Sequence, residues 1–255
     1  MLGYASLLPL DREPLSGLGE GNTPLVPLAR AGDRIGLSRL YFKDESRNPT
    51  WSYKDRLAVV AVNRAVQRGA ETLVVSSTGN HGAAVAAYAA RLGLDCVVLT
   101  LKSVPTAMKV LMQSYGARVV AFSEPGDRWT VMRAGVEERG WVPMSGYATP
   151  PSGSNPFGVD GHKTIAYELY QQLDGQLPDV VVAPVAYGDA LVGMVRGFED
   201  LCALGLAERL PRMVAGEPYG PYAAGLASAE GATVPRPAPD KPSVGFSIAS
   251  LLPSW

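Results

Sequence analysis

Residues 48–56 read Asn48-Pro49-Thr50-Trp51-Ser52-Tyr53-Lys54-Asp55-Arg56. A run of turn residues gives way at Lys54 to a periodic apolar stretch that stops at Gly69. The spacing predicts a helix over 54–67 with a lysine in its first turn. A cation there opposes the helix macrodipole. The same field, joined to burial, favours the uncharged amine that can attack a carbonyl carbon. Two readings stay open on these residues alone: a solvated first-turn lysine, or a lysine held for covalent chemistry.

Outward from this segment the chain alternates strand and helix. Short runs, apolar throughout, fall at 40–43, 72–76, 95–100, 117–122, 141–144, 179–185 and 212–217. Uninterrupted apolar strands are those of a parallel sheet covered on both faces. Helical stretches fit 80–92, a segment from about 105 up to Gly116, 128–138, 163–172 and 190–204. Proline at a helix start and glycine just past its end punctuate several of them. The order implies an α/β fold with a mostly parallel sheet. Residues 147–161, rich in glycine and proline, read as a loop between layers or domains. The proline-rich tail 231–242 reads as a surface excursion. Ligands in open α/β sheets bind at the carboxyl ends of strands. The turns at 76–82, 147–153 and 186–189 occupy such ends.

Composition narrows the function classes. The chain has 255 residues, 23 basic and 24 acidic, for a net charge of −1. No basic block marks a nucleic-acid or anionic-membrane partner. No apolar run is long enough to span a bilayer, and the N-terminus lacks the basic region of a signal peptide. The chain therefore reads as cytoplasmic. Cys96 and Cys202 support neither a disulfide framework nor a zinc site, and both read as buried free thiols. His81 and His162 have no spacing partner for a metal or a Ser/His/Asp arrangement, so no metal is expected. His162 reads as a loop or helix-start residue. No Gly-x-Gly-x-x-Gly follows a strand, which disfavours a dinucleotide-binding Rossmann protein.

Four motifs stand in order: Glu20-Gly21-Asn22-Thr23-Pro24-Leu25, Lys43-Asp44-Glu45, the 48–56 segment, and Ser76-Ser77-Thr78-Gly79-Asn80-His81-Gly82. Together they resemble the fold-type II pyridoxal-phosphate (PLP) enzymes, the tryptophan synthase β-like superfamily, over about residues 17 to 255. The threonine synthase branch is favoured by Asn155-Pro156, by Asp160-Gly161-His162-Lys163-Thr164 and by Phe246-Ser247-Ile248-Ala249-Ser250. The resemblance implies two parallel-sheet domains with the site in the cleft between them. A smaller domain, 49–146, would be inserted into a larger one made of 1–48 and 147–255. It implies pyridoxal 5′-phosphate carried on Lys54, with Asn80 bonded to the cofactor's 3′-hydroxyl. Ser77, Thr78 and Gly79 would hold the substrate carboxylate, with His81 beside it. Ala186, Tyr187, Gly188, Asp189 and Ala190 would cradle the cofactor phosphate at a helix start. Asp189 opposes a phosphate there unless it turns away, for instance as an N-cap. On the residues alone, 76–82 is equally an ordinary capped turn.

Two departures qualify the expected activity. Threonine synthases clamp the phosphate of phosphohomoserine partly with an arginine two residues after the Asn-Pro proline. Gly158 stands there, Ser152-Gly153 replaces the loop before it, and His81 follows the loop asparagine. A glycine supplies no bidentate clamp. Family members also continue past the position of Trp255, so the chain reads as C-terminally truncated. The reaction expected is elimination or replacement on a small amino acid by a threonine synthase-like lyase. The alternatives are a serine/threonine dehydratase or related ammonia-lyase, and a remnant that does not turn over. Family members are commonly dimers, which implies a homodimer.

Overall fold

A computed structural model of the chain describes residues 2–11, 16–147 and 153–219, with 243, 245 and 248 as single positions. A short antiparallel pair opens the fold, β1 (Leu25–Pro27) on β2 (Tyr41–Lys43), with α1 (Ala29–Ile35) between them. The long helix α2 (Lys54–Gln67) follows, then β3 (Thr72–Ser76), α3 (Asn80–Leu92), β4 (Asp95–Leu101), α4 (Thr106–Ser114), β5 (Arg118–Phe122), α5 (Asp127–Arg139) and β6 (Val142–Pro143). The four strands from β3 to β6 form one parallel sheet in the order β5-β4-β3-β6. Pro143 sits in an edge strand, where its missing N–H costs no ladder bond.

The apolar runs of this sheet have a plain cause. Leu73, Val75, Cys96 and Val98 pack with α2, α3 and Met112 of α4 on one face. Val74, Val97 and Leu99 meet Met132 of α5 and Trp141 on the other. Successive residues point to opposite faces, and both faces are covered, so the middle of β3 and β4 is apolar on both. Full burial of each leucine contributes about 1.5–3 kcal/mol.

The remaining described residues form α6 (Pro156–Val159), a 3-10 turn at Asp160–His162, α7 (Lys163–Gln172), β7 (Val180–Pro184), α8 (Asp189–Ala203) and β8 (Arg212–Gly216). Strands β7 and β8 pair in parallel, joined by α8 as the crossover. Ile165 and Leu169 of α7 pack with Ala183 of β7 and Met194, Phe198 and Leu201 of α8. Gly161 lets the 3-10 turn approach α2: a Cβ there would lie 1.9 Å from the Arg56 carbonyl oxygen.

The structure corrects several expectations. The 40–43 strand is antiparallel to β1, a strand that the periodicity does not show because it is three residues long and ends in proline. The 147–161 segment contains α6, capped by Asn155, whose Oδ1 accepts from the Phe157 and Gly158 amides. Helix α8 begins at Asp189 rather than 190. Cys96 is buried as expected, but Cys202 is only half-buried. Residues 148–152 and the 231–242 tail lie outside the described residues. No helix among the described residues is long and apolar enough to cross a membrane.

Candidate active site

The carboxyl ends of β3, β6 and β7 open on one cleft of about 190 Å³. Lys54, Ser77, Thr78, Gly79, Asn80, His81, Ala186, Tyr187, Gly188, Asp189 and Ala190 all line it. The structure thus brings together every site residue that the sequence singled out. It adds Tyr53, Ser76, Arg128, Ser145, Ser154 and Ile248, among others.

Lys54 enters as the first residue of α2, after a turn in which Trp51 takes φ 62°. Asp55 holds that turn: its carboxylate accepts from the Thr50 amide and hydroxyl, each at 2.9 Å. Burial pushes the Asp55 carboxyl up to about 6, against the pull of the Thr50 hydrogen bonds. The Lys54 side chain is 18 % exposed, and its Nζ lies 3.9 Å from Asp189 Oδ2.

Most of the other motif residues do not face the cleft. They build a buried scaffold around Arg56, which is fully enclosed. Its guanidinium donates to both oxygens of Glu45 and both oxygens of Glu168, at 2.7–2.8 Å, and to Thr164 Oγ1. Lys43 Nζ donates to Glu168 Oε2 and to the Thr23 carbonyl. Asn48 Nδ2 donates to Glu45. Burial raises Glu168, but Arg56 and Lys43 outweigh it and hold the carboxyl at about 2. Each charge of this scaffold is paired, the condition under which a buried charge is tolerated. Glu168 carries no motif signal, and only the fold reveals its partnership with Arg56.

The 76–82 turn caps α3. Ser77 Oγ accepts from the Gly79 and Gly82 amides, at 3.2 and 2.9 Å. The Ser77 hydroxyl is thus engaged in shaping the turn, while Asn80 is exposed to the cleft. The first amides of α3 have no partner within the helix and suit an anion. His81 Nε2 is enclosed without a hydrogen-bond partner among the described residues. Burial first, then the Lys54 cation, lowers its imidazole to about 3. His162 starts α7 and is fully buried edge-on to Tyr53, with ring centroids 5.5 Å apart. Burial, Lys54 and Arg56 together lower it well below the usual range. Both rings are therefore neutral near pH 7.

Facing α3, Gly188 caps α8 at φ 89°, a left-handed conformation that glycine adopts without strain. The N-cap role expected of Asp189 therefore falls to Gly188. Asp189 is the first helical residue, and its carboxylate turns to Ser154. It accepts from Ser154 Oγ at 2.6 Å and from the Ser154 amide at 3.3 Å. Gly153 leaves room for this contact, since a Cβ there would lie 2.9 Å from Asp189 Oδ1. Gly158 is different: it does not line the cleft, and a Cβ there would meet Leu57 and Ala61 at 3.0 Å. Among the described residues no group of His, Cys, Asp and Glu could hold a metal ion.

Comparison with known proteins gives these features a family. Residues 17–251 match the family described as "Pyridoxal-phosphate dependent enzyme". A threonine synthase of Methanosarcina acetivorans is 32% identical over 252 residues, covering 97% of this chain and 60% of the relative. One from Halalkalibacterium halodurans is 38% identical over 200 residues, covering 77% and 54%. The chain thus spans little more than half the length of these relatives. Among solved structures, maize serine racemase superposes with a TM-score of 0.74 at 21% identity, covering 90% of this chain and 65% of that one, a likeness of fold.

The residues present fit the family's cofactor. Lys54 offers an amine for its aldehyde, Asn80 an amide open to the same space, and the α8 start a row of backbone donors for its phosphate. The one carboxylate at that start is tied to Ser154. With the match covering most of its length, this chain belongs to the pyridoxal-phosphate dependent enzymes, and its architecture is that of fold-type II.

Proposed function

We propose that the chain is a threonine synthase-like lyase that uses PLP for elimination or replacement on a small amino acid. One observation carries the reading: Lys54 and the starts of two helices, α3 and α8, open on a single cleft. Bound there, the cofactor supplies an electron sink for the substrate's α-carbon. Lys54 is the residue that would hold it. The amides at the start of α3 take the substrate carboxylate, and Ser77 keeps that turn in shape. The Lys54 amine, once free, takes a proton from the substrate α-carbon and returns it. Asp189, 3.9 Å away, stabilises the ammonium so formed. The neutral His81 and His162 rings leave that field to Asp189. The protein's further part is to orient the substrate and exclude water.

On this reading residues 49–146 form the smaller domain, inserted between 1–48 and 147–255. The chain works in the cytoplasm on a small-molecule substrate, as a homodimer by analogy with its family. Sedimentation measurements would check the last point. A second reading, a serine/threonine dehydratase or related ammonia-lyase, is favoured by the closed position at Gly158. A panel of amino acids incubated with the chain and PLP tests both, with keto acid, ammonia and new amino acids as the products scored. Threonine or another replacement product supports the synthase reading. Ammonia with a keto acid from serine or threonine supports the dehydratase. Absence of any product from a folded, cofactor-loaded chain refutes both and leaves a remnant without turnover.

A further inference from the structure

A carboxylate stands where the cofactor's phosphate is expected. Asp189 is the first residue of α8, beside the backbone donors that suit that phosphate. Its side chain is 10 % exposed and lines the cleft. A helix start attracts a carboxylate and a phosphate for the same reason, so the two compete for one field. The Asp189 carboxylate is nevertheless turned elsewhere. Its two hydrogen bonds among the described residues both come from Ser154: Oγ donates to Oδ2 at 2.6 Å and the amide to Oδ1 at 3.3 Å. Oδ2 also faces Lys54 Nζ at 3.9 Å.

Ser154 is itself held from the other wall of the cleft. It forms a β-bridge with Ser145, just beyond β6. The Gly146 amide donates to the Gly153 carbonyl at 3.0 Å, and the Asn155 amide to the Met144 carbonyl at 3.2 Å. The Asn155 side chain adds a bond to the Pro143 carbonyl at 3.1 Å. Residues 153–155 are thus laid along 143–146, and the Ser154 donors have a fixed position. A hydroxyl that donates to a carboxylate makes a charge-assisted bond, stronger than a neutral one. The clip therefore reaches from the end of the four-stranded sheet to the start of α8. The charges of the cleft show what it prevents. Lys54 and Arg128 are its positive lining residues and Asp189 its negative one. A phosphate monoester brings about 1.5–2 further negative charges at pH 7. With the cofactor bound, negative charge exceeds positive. A carboxylate free to turn towards the α8 amides would then act against the phosphate twice, by occupying its donors and by repelling it.

We infer that Ser154 is a determinant of cofactor affinity: it clips the Asp189 carboxylate to the 153–155 segment and so keeps the α8 start clear for the phosphate. Ser154 and Asp189 then act on the phosphate with opposite sign. Removing the charge of Asp189 strengthens the hold on the phosphate. Removing the hydroxyl that ties Asp189 weakens that hold, and does so only while Asp189 is charged. The inference rests on the placement of the phosphate at the α8 start in the reading above, and on no feature of the substrate.

The test is a double-mutant cycle on Ser154→Ala, Asp189→Asn and the two together. Dissociation constants are read by absorption and tryptophan fluorescence, once with pyridoxal 5′-phosphate and once with pyridoxal. Pyridoxal lacks the phosphate but keeps the aldehyde, so an effect that travels through Lys54 appears with both and cancels in their ratio. Relative to pyridoxal, the phosphate form should bind about 10-fold more tightly in Asp189→Asn. It should bind about 3- to 10-fold more weakly in Ser154→Ala. With Asp189→Asn already present, Ser154→Ala should change the ratio by no more than about 2-fold. Thermal melting of each variant establishes that it is folded. A folded Ser154→Ala chain with the wild-type ratio overturns the inference, and so does a loss of equal size in the double variant or an unchanged ratio in Asp189→Asn. These outcomes leave the cofactor reading intact. If no folded chain, wild type or variant, binds either form, the reading of the cleft as a cofactor site fails and the inference falls with it.

Discussion

Leu99 in β4 is fully buried, whereas Val182 in β7 is 69 % exposed, although both stand in the apolar runs of short parallel strands. The difference lies in what covers them. The four-stranded sheet has α2, α3 and α4 on one face and α5 on the other. The β7–β8 pair has α7 and α8 packed on it, while Val180, Val182 and Val214 remain exposed. The hydrophobic pattern of a strand thus reports its capacity for burial on both faces, and packing alone decides whether that burial occurs. The cleft lies where the two regions meet. One wall belongs to a closed sheet, the other to a strand pair with one open face.

The buried charge scaffold ties the two regions together, so cutting it has the largest expected effect. Arg56→Ala leaves Glu45 and Glu168 buried without their guanidinium, and breaking a buried pair in this way costs about 3–5 kcal/mol. Urea unfolding should show the loss in probes of both regions at once. A loss confined to one would mean that the scaffold does not couple them. Leu99→Ala, in the closed sheet, should cost about 2–5 kcal/mol by the same assay.

Acid sharpens the contrast further. Glu168 has a folded value of about 2 against an ordinary 4.5, a depressed carboxylate. Its contribution is complete above pH 4.5 and is lost as pH falls from there towards 2. Asp55 acts in the opposite sense: its raised value, about 6 against 3.8, makes stability fall as pH rises from 3.8 to 6. Glu168→Gln should therefore flatten the acid limb below pH 4.5 and lower stability at neutral pH, as followed by melting temperature against pH. The smallest effect belongs to the open face. Val182→Thr should change stability by no more than about 0.5 kcal/mol, since the side chain is already solvated. A cost as large as that of Leu99→Ala would show that the face is covered in solution.

Helix limits were the most legible part of the fold. The spans of α2, α3 and α7 follow from periodicity and from glycines such as Gly93, which closes α3 at φ 71°. Strand β1 was not legible, because three residues ending in proline carry no period to read, and without it the antiparallel pairing of the 40–43 strand could not be seen. In the site, the loops at 76–82 and 186–189 were legible as strand ends, and family motifs singled out Lys54. The same motifs hid a division of labour. Thr23, Lys43, Glu45, Asn48 and Arg56 stand in the same motifs as Lys54, yet they form the scaffold behind the site. Arg128 and Glu168 were illegible for a common reason. A charged residue in a helical stretch looks solvated until the fold shows a buried partner 112 positions away for Glu168 and a place in the cleft wall for Arg128.

The central claim, that this cleft holds PLP on Lys54, is tested most directly by incubating the chain with PLP, reducing with borohydride and mapping the adduct by mass spectrometry, beside Lys54→Ala. The account predicts a visible absorption band and a reduced cofactor adduct on Lys54, both absent from a folded Lys54→Ala variant. A folded wild-type chain with no band and no adduct at Lys54, or an equal adduct in the variant, would contradict it.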